Sequence, residues 1–270
     1  MKNSSNLYFI YQYIKNGFKF QTFMEKADKY ILVLKETDST NNYANRLISS
    51  GGAEGGTVVL SHYQHKGRGQ LGNHWESARE LNLLASIILF PAFLPPGKQF
   101  YLSKIASLAL ADWLRQKTDN VSIKWPNDIY VKNRKIAGIL IETTIQGNLF
   151  HSAVLGFGLN LNQVEFSPEL PNPVSLKQLT GINYNLIDTA SQIRKIFMKW
   201  YQRLETGHIG EIDDAYLENL FRINEWALFK EEGQLLEARI KGTSEFGQLV
   251  LEDRSGNLRN FSFKEVEFII

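Results

Sequence analysis

Two short stretches hold most of the residues whose types and spacing suit chemistry. In Y-Q-H-K-G-R-G-Q-L-G-N-H-W, residues 63–75, Gly67, Gly69 and Gly72 form a G-x-G-x-x-G pattern, with Lys66 and Arg68 beside them. Bare glycine backbone lets N–H groups approach an anion closely, and a guanidinium forks onto phosphate or carboxylate. The chemistry suggested is the wrapping of an anion; on spacing alone a flexible hairpin loop with incidental charge accounts for it as well. A dinucleotide-binding turn requires a helix directly after the glycines and an acidic residue about 20 positions on. Here N-H-W-E-S-A-R-E and another apolar run follow, and the acidic position falls in I-L-F-P-A. A kinase loop requires H-R-D and D-F-G partners, and the chain contains neither. His62, His65 and His74 lie nearby without Cys or carboxylate partners at ligand spacing, so no metal site is expected.

The second stretch is K-W-P-N-D-I-Y-V-K-N-R-K-I-A-G-I-L, Lys124 to Leu140. Pro126, Asn127 and Asp128 predict a polar kink between apolar strands, and Lys132, Arg134 and Lys135 a charged turn. Taken singly, each of these residues fits an ordinary hairpin turn beside a buried tryptophan.

The elements that must position these residues show in the hydrophobic periodicity. Tyr30–Leu34 reads as a buried strand, followed by T-D-S-T-N-N, where Ser39 or Thr40 suits the N-cap of a helix ending at Gly51. Strands are predicted at Thr57–Ser61, at Leu81–Phe90, and for V-S-I-K-W, I-A-G-I-L-I-E-T and F-H-S-A-V-L-G-F-G-L-N-L. The last three read as mostly antiparallel neighbours. Leu102, Ile105, Ala106, Ala109, Trp113 and Leu114 recur at helical spacing, as do Leu186, Ala190, Ile193, Phe197, Trp200 and Leu204. A short helix, D-D-A-Y-L-E-N-L-F, follows, and residues 163–180 read as a loop. From Ile223 short strands alternate with Gly-containing turns, the texture of a small β-barrel. The expected division is an N-terminal extension at 1–29, a catalytic domain at 30–222 and a β domain at 223–270. Met24 offers an internal start.

Composition narrows the function classes. The 270 residues are 43% hydrophobic and 21% charged, with a net charge of +2 and no cysteine. That excludes disulfides, Cys-ligated zinc, iron–sulfur clusters and a cysteine nucleophile. The near-neutral balance argues against nucleic-acid binding, and no apolar run approaches the roughly 20 residues that span a membrane. A cytoplasmic setting is expected.

Read together, T-D-S-T-N-N at 37–42, residues 63–75, residues 124–140 and G-F-G-L-N-L-N at 156–162 resemble the biotin protein ligases in order and spacing, over about residues 30–205. The resemblance implies an α/β (α+β) fold: a mixed, mostly antiparallel sheet with packed helices, similar to class II synthetases, plus a C-terminal SH3-like β-barrel. It implies activation of biotin by ATP and its transfer to a lysine of a biotin carboxyl carrier protein, with Mg²⁺ carried by the ATP. Carried over by motif, Ser39, Thr40, Asn41 and Gln64 line the biotin ring end, and Gly67, Arg68, Gly69 and Gln70 belong to the loop that folds over it. Lys135 meets the carboxylate and the α-phosphate. Arg68, Gln70, Asn73, Trp75, Asn127, Lys135 and Asn160 are the expected adenylate contacts, and Lys135, Arg68 and Asp128 the expected catalytic set.

Two departures stand out. The roughly 30 residues before the first strand cannot form the winged helix of repressor members, so a biotin-sensing repressor is disfavoured. Many relatives carry a second arginine where this chain has Gln70. A lipoate or octanoate ligase is the nearest rival, and a catalytically dead binding protein is disfavoured by the presence of both Arg68 and Lys135. A monomer or weak homodimer is expected.

Overall fold

The structure, a computed structural model, describes residues 29–269, so the expected N-terminal extension, Met24 included, lies outside the described residues except for Lys29. The main sheet has seven strands: β1 (Ile31–Leu34), β2 (Val58–Ser61), β3 (Leu83–Leu89), β4 (Val121–Lys124), β5 (Asp128–Val131), β6 (Arg134–Gln146) and β7 (Leu149–Leu159). Their order is β1-β2-β3-β7-β6-β5-β4. Only β1 and β2 run parallel. A parallel pair needs a crossover, and the helix α1 (Thr40–Ser49) supplies it.

Strand alternation divides the sheet into two faces. Leu83, Ala85, Ile87 and Leu89 of β3 and Ala153, Leu155 and Phe157 of β7 join the main core. That core is capped by α2 (Phe100–Arg115), α4 (Leu186–Glu205) and α5 (Ile209–Glu218), and a short α3 (Leu176–Thr180) lies between α2 and α4 in the chain. Ile88 and Val154, one residue out of phase, point to the other face, where they meet Ala44 of α1. The second sheet is antiparallel throughout: β8 (Trp226–Glu231), β9 (Gln234–Thr243), β10 (Leu249–Asp253), β11 (Leu258–Phe261) and β12 (Val266–Phe268), in the order β11-β10-β9-β8-β12. This is the mixed, mostly antiparallel α/β architecture with a small SH3-like β unit that the sequence predicts.

Four local readings change. Asp128–Val131 is itself a strand, inserted between β4 and β6 and separating those two runs, whereas β6 and β7 are antiparallel neighbours as read. The turn carries Lys132 at φ 54, whereas Arg134 and Lys135 already open β6. Residues 176–180 are helical because Ser175 and Gln178 form a reciprocal capping box, a signal present in the sequence as S-L-K-Q. Ser39 occupies the N-cap position of α1, but its side chain makes no capping hydrogen bond.

Candidate active site

The face of the sheet that carries α1 also carries a cavity of about 340 Å³, in the range of roughly 300–1,000 Å³ usual for small-molecule sites. The start of α1 forms one end. Ser39, Thr40 and Asn41 are buried there and line the cavity. The backbone N–H and hydroxyl of Thr40 donate to Gln64 Oε1 at 2.6 and 3.0 Å, which fixes that amide and leaves its NH₂ group for a ligand. Ser86 Oγ, inward on β3, lies 2.7 Å from Thr40 Oγ1 and 2.6 Å from Asn41 Oδ1. Asn41 Nδ2 donates to Leu140 O at 3.3 Å and to Glu142 Oε2 at 3.0 Å. The result is an uncharged, preorganised set of hydroxyls and amides.

Charges sit along the flank. Glu142 also holds Arg68 at 2.8 Å, and Arg68 donates to Asn42 Oδ1 at 2.7 Å. Asn42 is in turn fixed by Asp38, which pairs with Arg46 at 2.9 Å. The Arg46 guanidinium, backed by Asn42 and the Ser39 N–H, holds the Asp38 carboxyl well below the usual carboxylate range. Lys135 pairs with Asp128 at 2.7 Å. Lys124 lines the same space, and burial there pushes its ammonium below the ordinary lysine range.

A β-bulge places Lys135. Tyr130 pairs with Lys135 and Ile129 with Ala137, so Ile136 is the extra residue. Ile136 and Ala137 both enter the core, and Lys135 emerges on the cavity side with Gly138, three positions on, which an unbroken period of two forbids.

Three glycines leave the floor open. A Cβ on Gly156 would lie 2.5 Å from Asn41 Oδ1, one on Gly138 3.1 Å from Trp75 Cζ3, and one on Gly158 would occupy the Trp75 indole itself. Trp75 therefore lies against bare backbone of β6 and β7, and its buried Nε1 has no hydrogen-bond partner among the described residues. The glycine loop is braced by Trp75 N to Gly67 O at 3.1 Å and Gly69 N to Asn73 O at 2.6 Å, with a 3₁₀ turn at Gln70–Gly72.

Of the residues expected from the sequence, Ser39, Thr40, Asn41, Gln64, Arg68, Gly69, Gln70, Asn73, Trp75, Asn127, Asp128 and Lys135 meet in this lining. Gly67 and Asn160 fall outside it. A Cβ on Gly67 would lie 2.6 Å from Trp75 O, so its role is close loop packing. Buried Asn160 spends its amide on Val174 O at 3.2 Å, tying the loop before α3 to the sheet. Asn127 lines the cavity, but its amide is committed to Ile139 O at 2.6 Å. Sequence reasoning passed over Lys124 and the segment from Phe263 to Phe268, which line the cavity, and over Ser86 and Glu142, which hold Asn41 and Arg68 from behind. Glu142 was findable because it keeps strand phase with Gly138 of the lining, and Ser86 because it shares with Ile88 the face of β3 turned towards α1. The segment carried no local signal. Among the described residues no three His, Cys, Asp or Glu side chains converge to hold a metal.

Residues 33–160 match the biotin/lipoate A/B protein ligase family. A biotin–[acetyl-CoA-carboxylase] ligase of Paracoccus denitrificans is 29% identical over 233 residues, 83% of this chain and 95% of that protein. The bifunctional ligase/repressor BirA of Escherichia coli K12 is 35% identical over 156 residues, and the match covers 57% of this chain but 47% of that protein. The chain thus spans about half the length of that two-function relative. The fold is similar to that of the biotin protein ligase from Aquifex aeolicus solved with biotin and ATP, at a TM-score of 0.74 and 24% identity over 90% of this chain and 99% of that one. With its motifs meeting around one cavity on this fold, the segment of residues 33–160 is a biotin/lipoate A/B protein ligase family domain.

Proposed function

We propose that this chain is an ATP-dependent biotin ligase, which activates biotin as biotinyl-5′-AMP and transfers it to a lysine of a biotin carboxyl carrier protein. The observation that carries the reading is a single cavity combining an uncharged hydrogen-bonding end (Thr40, Asn41, Gln64) with cations (Arg68, Lys135). Biotin has this polarity: a neutral ureido ring that needs buried donors and acceptors, and a carboxylate tail. A dithiolane ring would leave those buried groups unpaired, which disfavours lipoate.

In the first step the carboxylate oxygen attacks the α-phosphorus of ATP and diphosphate leaves. Two unit anions about 4 Å apart repel by roughly 4 kcal/mol at an effective dielectric of 20. Lys135 and Arg68 offset that repulsion by exchanging Asp128 and Glu142 for substrate anions. Mg²⁺ arrives as the counter-ion of ATP. Once Lys135 has moved, Asp128 is free to orient the neutral acceptor amine, which attacks the acyl carbonyl and expels AMP. The reaction takes place in the cytoplasm, residues 30–222 acting as the catalytic domain and 223–270 as a separate β domain that closes the site.

The test is mass spectrometry of a carrier domain incubated with the protein, ATP, Mg²⁺ and either biotin or lipoate. The expected result is a biotinyl adduct that requires ATP. A lipoyl adduct alone, or none, sinks the reading.

A further inference from the structure

Both cations assigned to the substrate are neutralised at rest, Lys135 by Asp128 and Arg68 by Glu142. Lys124, the last residue of β4 and part of the same lining, differs from them. Among the described residues its ammonium has no ion-pair partner; instead Nζ lies 4.5 Å from the centre of the Phe268 ring and 5.5 Å from that of Tyr130. Asp128 faces it across the β4–β5 hairpin and steadies it from further away, while Lys135 opposes it. The rings exclude water, so the charge is costly where it stands, and an anion entering the cavity relieves that cost. A clamp between the C-terminal sheet and β5 would not need the charge, since a methionine joins the same rings without an ammonium to desolvate.

We propose that Lys124 is a second catalytic lysine, whose ammonium binds the phosphate chain of ATP as the carboxylate attacks. The proposal rests on the adenylating function above. A bond forms between the carboxylate oxygen and the α-phosphorus, and the bond from that phosphorus to the α,β-bridging oxygen breaks. The electron pair stays on the bridging oxygen, so negative charge grows on the departing diphosphate. Lys135 serves the carboxylate and α-phosphate, and Lys124 the leaving group. Transfer to the carrier involves no diphosphate, so Lys124 has no task in that step.

The experiment separates the two half-reactions. Wild type and Lys124→Met, each shown to be folded by circular dichroism, are assayed for biotin-dependent exchange of labelled diphosphate into ATP, and for transfer to a carrier domain from supplied biotinyl-5′-AMP without ATP. Exchange is expected to fall roughly tenfold to a hundredfold while transfer stays within about threefold, because one charge-assisted contact is lost in the first step only. Lys124→Arg, which keeps the charge, is expected to recover most of the exchange, and Lys124→Gln replaces the methionine variant if that one does not fold. Undiminished exchange without the charge overturns the proposal. An equal loss in both half-reactions of a folded variant also overturns it and makes Lys124 architectural. Wild-type protein that catalyses no exchange sinks the adenylating function itself, and the proposal with it.

Discussion

Lys135 owes its reach into the cavity to one extra residue in β6, and its resting partner is Asp128 at 2.7 Å. Removing it leaves Asp128 without its counter-charge and the substrate carboxylate without a cation. Lys135→Ala is expected to lower carrier biotinylation by a hundredfold to a thousandfold, about the cost of losing one preorganised transition-state donor. Turnover near wild type in a folded variant removes Lys135 from the mechanism. Gln70 poses the opposite case, an absent charge. It opens the 3₁₀ turn of the glycine loop and lines the cavity, where an amide can hydrogen-bond but cannot form a guanidinium fork. Gln70→Arg is expected to slow escape of bound biotinyl-AMP by roughly tenfold to a hundredfold, equivalent to about 1.5–3 kcal/mol for one charge-assisted contact. Stopped-flow release without acceptor measures this, and equal rates would show that other residues close the loop.

At the scale of the element, α1 is set by what precedes it. Asp38 accepts from Asn42 at 2.8 Å and pairs with Arg46 at 2.9 Å, so the carboxylate organises the first two turns and, through Asn42, the Arg68 side chain. The Arg46 guanidinium holds the folded pKa of Asp38 well below the ordinary aspartate range. A carboxyl depressed on folding contributes stability that is present above its unfolded pKa and is lost as pH falls towards the folded one. Asp38→Asn is therefore expected to destabilise the protein at neutral pH, with the deficit shrinking steadily below about pH 4. Thermal melts of both proteins from pH 7 to pH 2 provide the check, and a deficit constant across that range would discount the ion pair. The pair is partly solvated, so the effect at neutral pH is modest.

At the scale of the molecule, the cavity is finished by a second sheet that begins about a hundred residues after β4, the strand ending at Lys124. Phe263, Val266 and Phe268 supply one wall, and Trp125, from the Lys124–Leu140 stretch, donates its indole N–H to Gly247 O at 2.8 Å. That buried bond joins the two sheets, with Trp125 and Phe263 in edge contact at 6.2 Å between centroids. Trp125→Phe keeps the apolar ring and strands the Gly247 carbonyl. A loss of about 1–3 kcal/mol is expected from a buried acceptor left unpaired, read from the denaturant midpoint. Amide exchange in residues 226–268 is expected to quicken with it; unchanged exchange would mean the sheets are held together by other contacts.

Local pattern was enough for much of this. Apolar runs bounded by turn residues and recurrence at helical spacing found every long strand of the main sheet and the long helices packed on it, because burial selects apolar residues in those patterns. The glycine loop and the Lys124–Leu140 stretch were legible as anion chemistry for the same reason: residue type and spacing are local properties. Asp128–Val131 escaped notice, since four residues beside a proline kink hold too few periods to register. The partners of the functional side chains were not written locally at all. Arg68 meets Glu142, Asn41 meets Ser86 and Lys124 meets Phe268 only after strands far apart in sequence are brought side by side. The sequence by itself determined which residues carry the chemistry. The tertiary structure decided which charges are neutralised at rest and which is left open, because that depends on distance and exclusion of water, and both arise only when the two sheets close around the cavity.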